Sequence, residues 1–304
     1  MKEKKIQIPL RYPGSKARLI DYFEALIKKN KLVGSQIVEP YAGSAVISLN
    51  MLARGLVSRA TLVEKDPLLY SFWKSIKTNP QGLIQRIIQV EVNLSNWKEH
   101  QKYLVPDALK KYELVELGAA CIFLNRTSFS GIVHAGPIGG YSQKSQYKVN
   151  CRFQNKDRIV EQIEKLAGFS KRLSIVHGSA IPYLKKNTNR LREAHSIVYL
   201  DPPYYVQGKR LYRYHYEPNE HKRFADFIKG QAYPWIISYD NHPDIHKMFS
   251  GAKIVPAFIN YVVKDSRNAE ELLISRLSLP RPQYLDFKDN SVVPTPNKRM
   301  KLSG

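Results

Sequence analysis

Seven short apolar runs, with amphipathic stretches between most of them, set the tightest limit on what this chain can fold into. They are QIVEP (36–40), ATLVE (60–64), LSIVHG (173–178), SIVYL (196–200), WIISY (235–239), KIVPAF (253–258) and ELLISRL (271–277). Runs this short and this rich in Ile and Val suit strands better than helices. Ahead of the first run, Leu19, Ile20, Phe23, Leu26 and Ile27 fall on one helical face. Helices are also expected over 45–54, 67–76 and 220–229, the last capped by Asn219. Strands alternating with helices imply an α/β fold built on a largely parallel sheet.

The alternation stops between about 78 and 167. That stretch carries helical patterns at 83–90 and 109–125, then the Gly-rich, polar segment GIVHAGPIGGYSQKSQYKVNCRF. So long a break in a strand series is expected to be an inserted, mainly helical domain, leaving 1–77 and 168–279 as the catalytic domain. Residues 280–304 turn polar and Pro-rich and are expected to be a flexible tail.

Charge narrows the function. The 304 residues carry 48 Lys and Arg against 26 Asp and Glu, a net charge of +22, which points to a polyanion such as nucleic acid. Cys121 and Cys151 are the only cysteines and form no CxxC pair, which disfavours a disulfide framework or a zinc site. With no signal-peptide pattern and no bilayer-length apolar run, a cytoplasmic protein, associated with the nucleoid through DNA, is expected.

In an open α/β sheet, ligands bind beyond the carboxyl ends of the strands. The first run ends in EPYAGSA, where Glu39 precedes a turn containing Gly43, and the second ends at Glu64. A glycine turn followed by an acid suits a nucleoside, the acid taking the ribose hydroxyls. The lack of a phosphate-cradling glycine series favours S-adenosylmethionine over a dinucleotide. The fourth run stops at Asp201-Pro202-Pro203-Tyr204. Asp201 accepts hydrogen bonds, Pro202 has no N–H to divert its carbonyl, and two prolines stiffen the turn. Tyr204 offers a face for a planar base. Acceptors and a ring at one strand end suit an exocyclic amine that attacks as a nucleophile, with no metal required. Further on, Tyr212, Tyr214 and Tyr216 alternate with Arg210 and Arg213, as in a nucleic-acid channel or a half-buried strand.

RYPGSK (11–16), EPYAGS (39–44), FLNRTSFSGI (123–132), DPPY (201–204), WIISYDNHP (235–243) and EELLIS (270–275), in that order, resemble the Dam-like adenine-N6 DNA methyltransferases. The resemblance spans roughly 8–277 and has the alpha-type motif order, with the insertion as target-recognition domain. It implies a Rossmann-like class I methyltransferase sheet, with S-adenosylmethionine as cofactor. The substrate implied is double-stranded DNA, whose adenine is flipped out and methylated at N6. It assigns cofactor contacts to Tyr12, Lys16, Glu39, Pro40, Tyr41, Gly43, Ser44, Glu64, Ser179 and Asp201, with Lys16 facing the methionine carboxylate. Asp201, Pro202, Pro203 and Tyr204 become the catalytic motif, and Asn125, Arg126 and Ser128 the DNA contacts. Three positions depart from the pattern: Ala45 where many members have glycine, Glu64 for a more usual aspartate, and Ser179 for an aspartate facing the cofactor's adenine. Some members serve restriction-modification beside a separately encoded endonuclease, and this chain holds no nuclease motif. Competing readings are an RNA methyltransferase, a protein-glutamine methyltransferase, which Asp201 and the large basic insertion disfavour, and a DNA-binding relative without catalysis.

Overall fold

The computed structural model describes residues 5–12, 14–206, 208, 213–260 and 268–280. Seven strands form one sheet: β1 (Gln36–Glu39), β2 (Arg59–Glu64), β3 (Leu173–His177), β4 (Ser196–Leu200), β5 (Trp235–Asp240), β6 (Lys253–Asn260) and β7 (Asn268–Ser275). Their order is β3-β2-β1-β4-β5-β7-β6. The first five are parallel, and β7 runs antiparallel between β5 and β6. All five residues of β4 are buried. A strand buried at every position needs cover on both faces, which a parallel sheet with helices on each side provides. The chain winds outward from β1 through β2 to β3, then returns to place β4 on the other flank of β1. At that reversal the carboxyl ends of β1 and β4 lie side by side, bringing Glu39 and Asp201 to one crevice.

Helices α1 (Ile20–Lys29), α2 (Val46–Ala53) and α3 (Pro67–Thr78) accompany the first strands. The α3 start follows from sequence: the Asp66 carboxylate accepts the Leu68 N–H at 2.8 Å and Pro67 takes the first helical position. The stretch between α3 and β3 forms α4 (Pro80–Gln89), α5 (Leu94–His100), α6 (Ala108–Lys111), α7 (Leu114–Thr127) and α8 (Lys156–Ala167). The single helix expected over 109–125 is divided, because Tyr112 adopts extended geometry that sets its ring edge-on to Tyr103 at 4.8 Å. Leu117, Phe123 and Ile163 of this stretch join Leu62 and Phe72 in one apolar cluster, so it shares the core of the sheet.

Helices α9 (Ala180–Glu193), α10 (Pro218–Lys229) and α11 (Pro243–Met248) complete the second half. The expected Asn219 cap of α10 is replaced by a capping box that starts two residues earlier, between Glu217 and Glu220, with Pro218 at the first helical position. The expected tail beyond 280 lies outside the described residues, as do Arg210 and Tyr212.

Candidate active site

A cavity of about 260 Å³ opens at the carboxyl ends of β1, β2 and β4. Tyr12 reaches it from the N-terminal segment and lies flat on the turn after β1. A Cβ at Gly43 would stand 2.8 Å from the Tyr12 ring, and the turn has φ +46° there, so only glycine fits. Trp73 anchors the same turn, its indole N–H donating to the Gly43 carbonyl at 2.9 Å. Ala45, two residues on, also has positive φ (+49°), a conformation glycine would take without strain. At the end of β2, Glu64 accepts the Gly43 N–H at 3.0 Å and the Asp66 N–H at 2.8 Å. Burial, with Asp66 beside it, still pushes its pKa up to about 7. Pro40, Tyr41, Ser44 and Ser179 complete this wall with Arg213, Tyr214 and Tyr216 opposite. Arg213 is tied to Asp66 at 3.0 Å, and the hydroxyls of Tyr41 and Tyr216 meet at 2.5 Å.

The other wall is a charged network sunk among apolar strands. Lys16 is 2% exposed; its ammonium donates to the Gly14 carbonyl at 2.8 Å, Asp201 Oδ2 at 3.0 Å and the Tyr204 hydroxyl at 2.7 Å. Glu271 Oε1 lies 3.5 Å from the same ammonium and accepts the Tyr204 hydroxyl proton. The remaining Asp201 oxygen, Oδ1, accepts from Ser238 at 2.8 Å, and Ser238 in turn meets Tyr199 at 3.0 Å. Behind DPPY, the Asp240 carboxylate accepts the backbone N–H groups of Tyr205 and Val206, both at 2.9 Å, and so fixes the loop. Burial raises Glu271 to about 7 and Glu39 to about 8, with Asp201 nearby adding to each.

Two expectations change here. Lys16 has three N–H donors; one goes to the Gly14 carbonyl of its own loop and two to Asp201 and Tyr204 of DPPY, so its ammonium is turned to the catalytic motif rather than to a methionine carboxylate. Tyr204 is 7% exposed, so its ring is not the open stacking face expected; its hydroxyl bridges Lys16 and Glu271 instead. Glu271, Ser238 and Asp240 had no assigned role in the sequence, although all three lie in blocks that carry the resemblance.

Residues 12–261 match the family described as D12 class N6 adenine-specific DNA methyltransferase. The chain belongs to this family. A search of curated proteins gave no match. Among solved structures, similarity is found to a putative methyltransferase (yhhF) of Escherichia coli, at 12% identity and TM-score 0.34, covering 89% of this chain and 92% of that one. It is also found to the rRNA methyltransferase aviRa of Streptomyces viridochromogenes, at 14% identity and TM-score 0.37, covering 87% and 86%. A third is a precorrin-6y C5,15-methyltransferase of Geobacter metallireducens, at 11% identity and TM-score 0.36, covering 88% and 94%.

The adenine methyltransferase takes its methyl group from S-adenosylmethionine and transfers it to N6 of adenine in DNA. The cavity fits that cofactor: an aromatic ring over a glycine turn that a Cβ would fill, a buried acid at the end of β2, and Asp201 at the far end. Ser179 lies in the wall and adds a hydroxyl to it. Among the described residues no His, Cys, Asp or Glu cluster is placed to hold a metal, and no helix is long and apolar enough to cross a membrane.

Of the three expected DNA contacts in the methyltransferase, two are corrected by burial. Asn125 is 1% exposed and its amide is fully used: Oδ1 accepts the Arg11 N–H, and Nδ2 donates to the carbonyls of Arg11 and Gly131, all at 2.7 Å. A Cβ at Gly131 (φ +78°) would meet the Arg11 carbonyl at 2.3 Å. The LNRTSFSG block is therefore a clamp on the RYPGSK block. Ser128 is fully buried and accepts from the Trp97 indole at 3.1 Å. Only Arg126 is left partly open, in a second cleft. The described part of the Arg/Tyr alternation lines the cofactor cavity in a loop rather than a strand.

Proposed function

We propose that the enzyme flips its target adenine out of duplex DNA and that Asp201 receives the exocyclic amine. The observation that carries this is the Asp201 carboxylate, with Ser238 holding Oδ1 and Lys16 holding Oδ2. Each oxygen keeps a lone pair for an amine hydrogen. An acceptor preset in this way draws density onto the nitrogen and stabilises the positive charge that grows as it attacks, without reorganising during the step. S-adenosylmethionine, when bound, supplies an electrophilic methyl group on sulfur. Tyr12, Gly43, Glu64 and Ser179 hold it, Glu64 accepting from the ribose hydroxyls. Tyr204 and Glu271 position Lys16, and through it Asp201. The helical insertion reads the target sequence, and the net charge of +22 supports binding to the duplex. This work takes place in the compartment that holds the DNA.

Expression in a host free of DNA methylation, followed by mapping of modified bases across the genome, tests this reading. N6-methyladenine within one recurring sequence is the expected result, and a single recurring sequence is the condition for pairing with a separately encoded restriction endonuclease. Modification of cytosine, or none from a folded protein that binds cofactor, would refute it.

A further inference from the structure

Arg126, in the last turn of α7, is half-buried, and its Nε is buried without a hydrogen-bond partner among the described residues. The same is true of Arg11 Nη1. Burial, with Arg11, Arg158 and Arg152 close by, pushes the Arg126 guanidinium down to about 10. Arg126, Arg152, Arg158 and Lys5 line a cleft of about 570 Å³ bounded by the N-terminal segment, the end of α7 and α8. No Asp or Glu lines it; Lys5 pairs outward with Asp21 at 3.3 Å, and Arg158 Nη2 donates to the neutral Gln7 at 2.5 Å. Three arginines gathered without an acid repel one another, and a folded chain tolerates that where an anion is to be bound.

The position of the cleft says which anion. Ser15 and Ser44 line both this cleft and the cofactor cavity, so the two share a wall. A base enters such a cavity by rotating about its own backbone, and the flanking phosphates must be held while it does so. Guanidinium forks match phosphate oxygens in pairs. We infer that this cleft binds a backbone phosphate of the DNA beside the flipped nucleotide, through Arg126, Arg152 and Arg158. The inference rests on DNA methylation as the activity and adds a binding site to it.

The test uses the full chain carrying Arg152→Gln and Arg158→Gln together. Duplex affinity is measured across a salt series, with Lys28→Gln and Lys31→Gln as a control that removes equal charge just before β1, at the amino end of that strand and away from the carboxyl ends where the cofactor cavity opens. Loss of that phosphate contact should lower the slope of log affinity against log salt by about 1, equally for target and non-target duplexes. The control should keep the wild-type slope. Thermal midpoint and cofactor affinity should stay at wild-type values in both. Inorganic phosphate titrated into DNA-free protein should bind the wild type and not the arginine variant. An unchanged slope in the arginine variant would overturn the inference even if wild type methylates DNA. Phosphate binding combined with an unchanged slope would assign the cleft to a free anion instead. A wild type that fails to methylate DNA would sink the activity, and the phosphate titration would then decide the cleft by itself.

Discussion

Replacing Tyr204 with phenylalanine separates a stacking face from a structural bridge. If the ring face were what mattered, Tyr204→Phe would be nearly silent. In the structure the hydroxyl accepts from Lys16 at 2.7 Å and donates to Glu271, both among the most buried charged groups in the molecule. Hydrogen bonds to charged groups contribute roughly 1.5–3 kcal/mol each. Lys16 and Glu271 already stand 3.5 Å apart and can close on each other, which recovers part of that loss. The net expectation is about 2–4 kcal/mol of stability, a fall in thermal midpoint of roughly 3–6 °C for a chain of this size. Without the hydroxyl donor, Glu271 shifts further above its value of about 7, and Lys16 loses the bridge that fixes its place between Asp201 and Glu271. The single-turnover rate should then drop about tenfold or more as Asp201 loses its fixed partner. Calorimetric cofactor affinity should stay within about twofold. A melting temperature within about one degree of wild type, together with an unchanged rate, would refute the bridge.

Glu64 gives a pH signature: its folded pKa is raised to about 7, so the ionised form that accepts ribose hydroxyls is lost as pH falls through that value. Cofactor affinity should weaken by up to about tenfold between pH 8 and pH 6 and flatten above, with Glu64→Gln removing the step. For the empty protein the sign is opposite: an acid with a raised folded pKa stabilises fully below its unfolded value of 4.5, and that contribution is lost as pH rises through about 7. Asn125→Ala should cost about 2–4 kcal/mol in chemical denaturation, since three backbone groups lose their partner. It should leave the salt slope of DNA binding intact, whereas a true phosphate contact would lower it.

What the sequence disclosed followed from how local each signal is. Continuous apolar runs such as SIVYL located the strands, and the acids ending β1, β2 and β4 located the cavity, because a parallel sheet gathers its carboxyl ends by construction. Helix α9 was not expected, because KKNTNRLRE is basic and only Ala180, Leu184 and Leu191 of the helix are buried. Glu271 went unassigned because its place depends on β7 pairing antiparallel with β5, where it sits opposite Asp240, and no local pattern encodes that. A carboxylate inside ELLIS was the available signal. Asn125 was assigned to DNA by the resemblance of its block, yet its partner is Arg11, 114 positions away, which no local signal shows. Tyr204 fits the aromatic requirement of the motif, but its depth is set by Lys16 and Glu271 from two distant segments.

The central claim is that Asp201, preset by Ser238 and Lys16, activates the adenine amine. Single-turnover methyl transfer to a target duplex, with nucleoside analysis of the product, tests it most directly in wild type and Asp201→Ala. Wild type should yield N6-methyladenine. Asp201→Ala should bind cofactor and duplex as before and lose at least ~10²-fold in rate, the usual cost of removing one preorganised group at a developing charge. Transfer by Asp201→Ala at near wild-type rate would contradict the account.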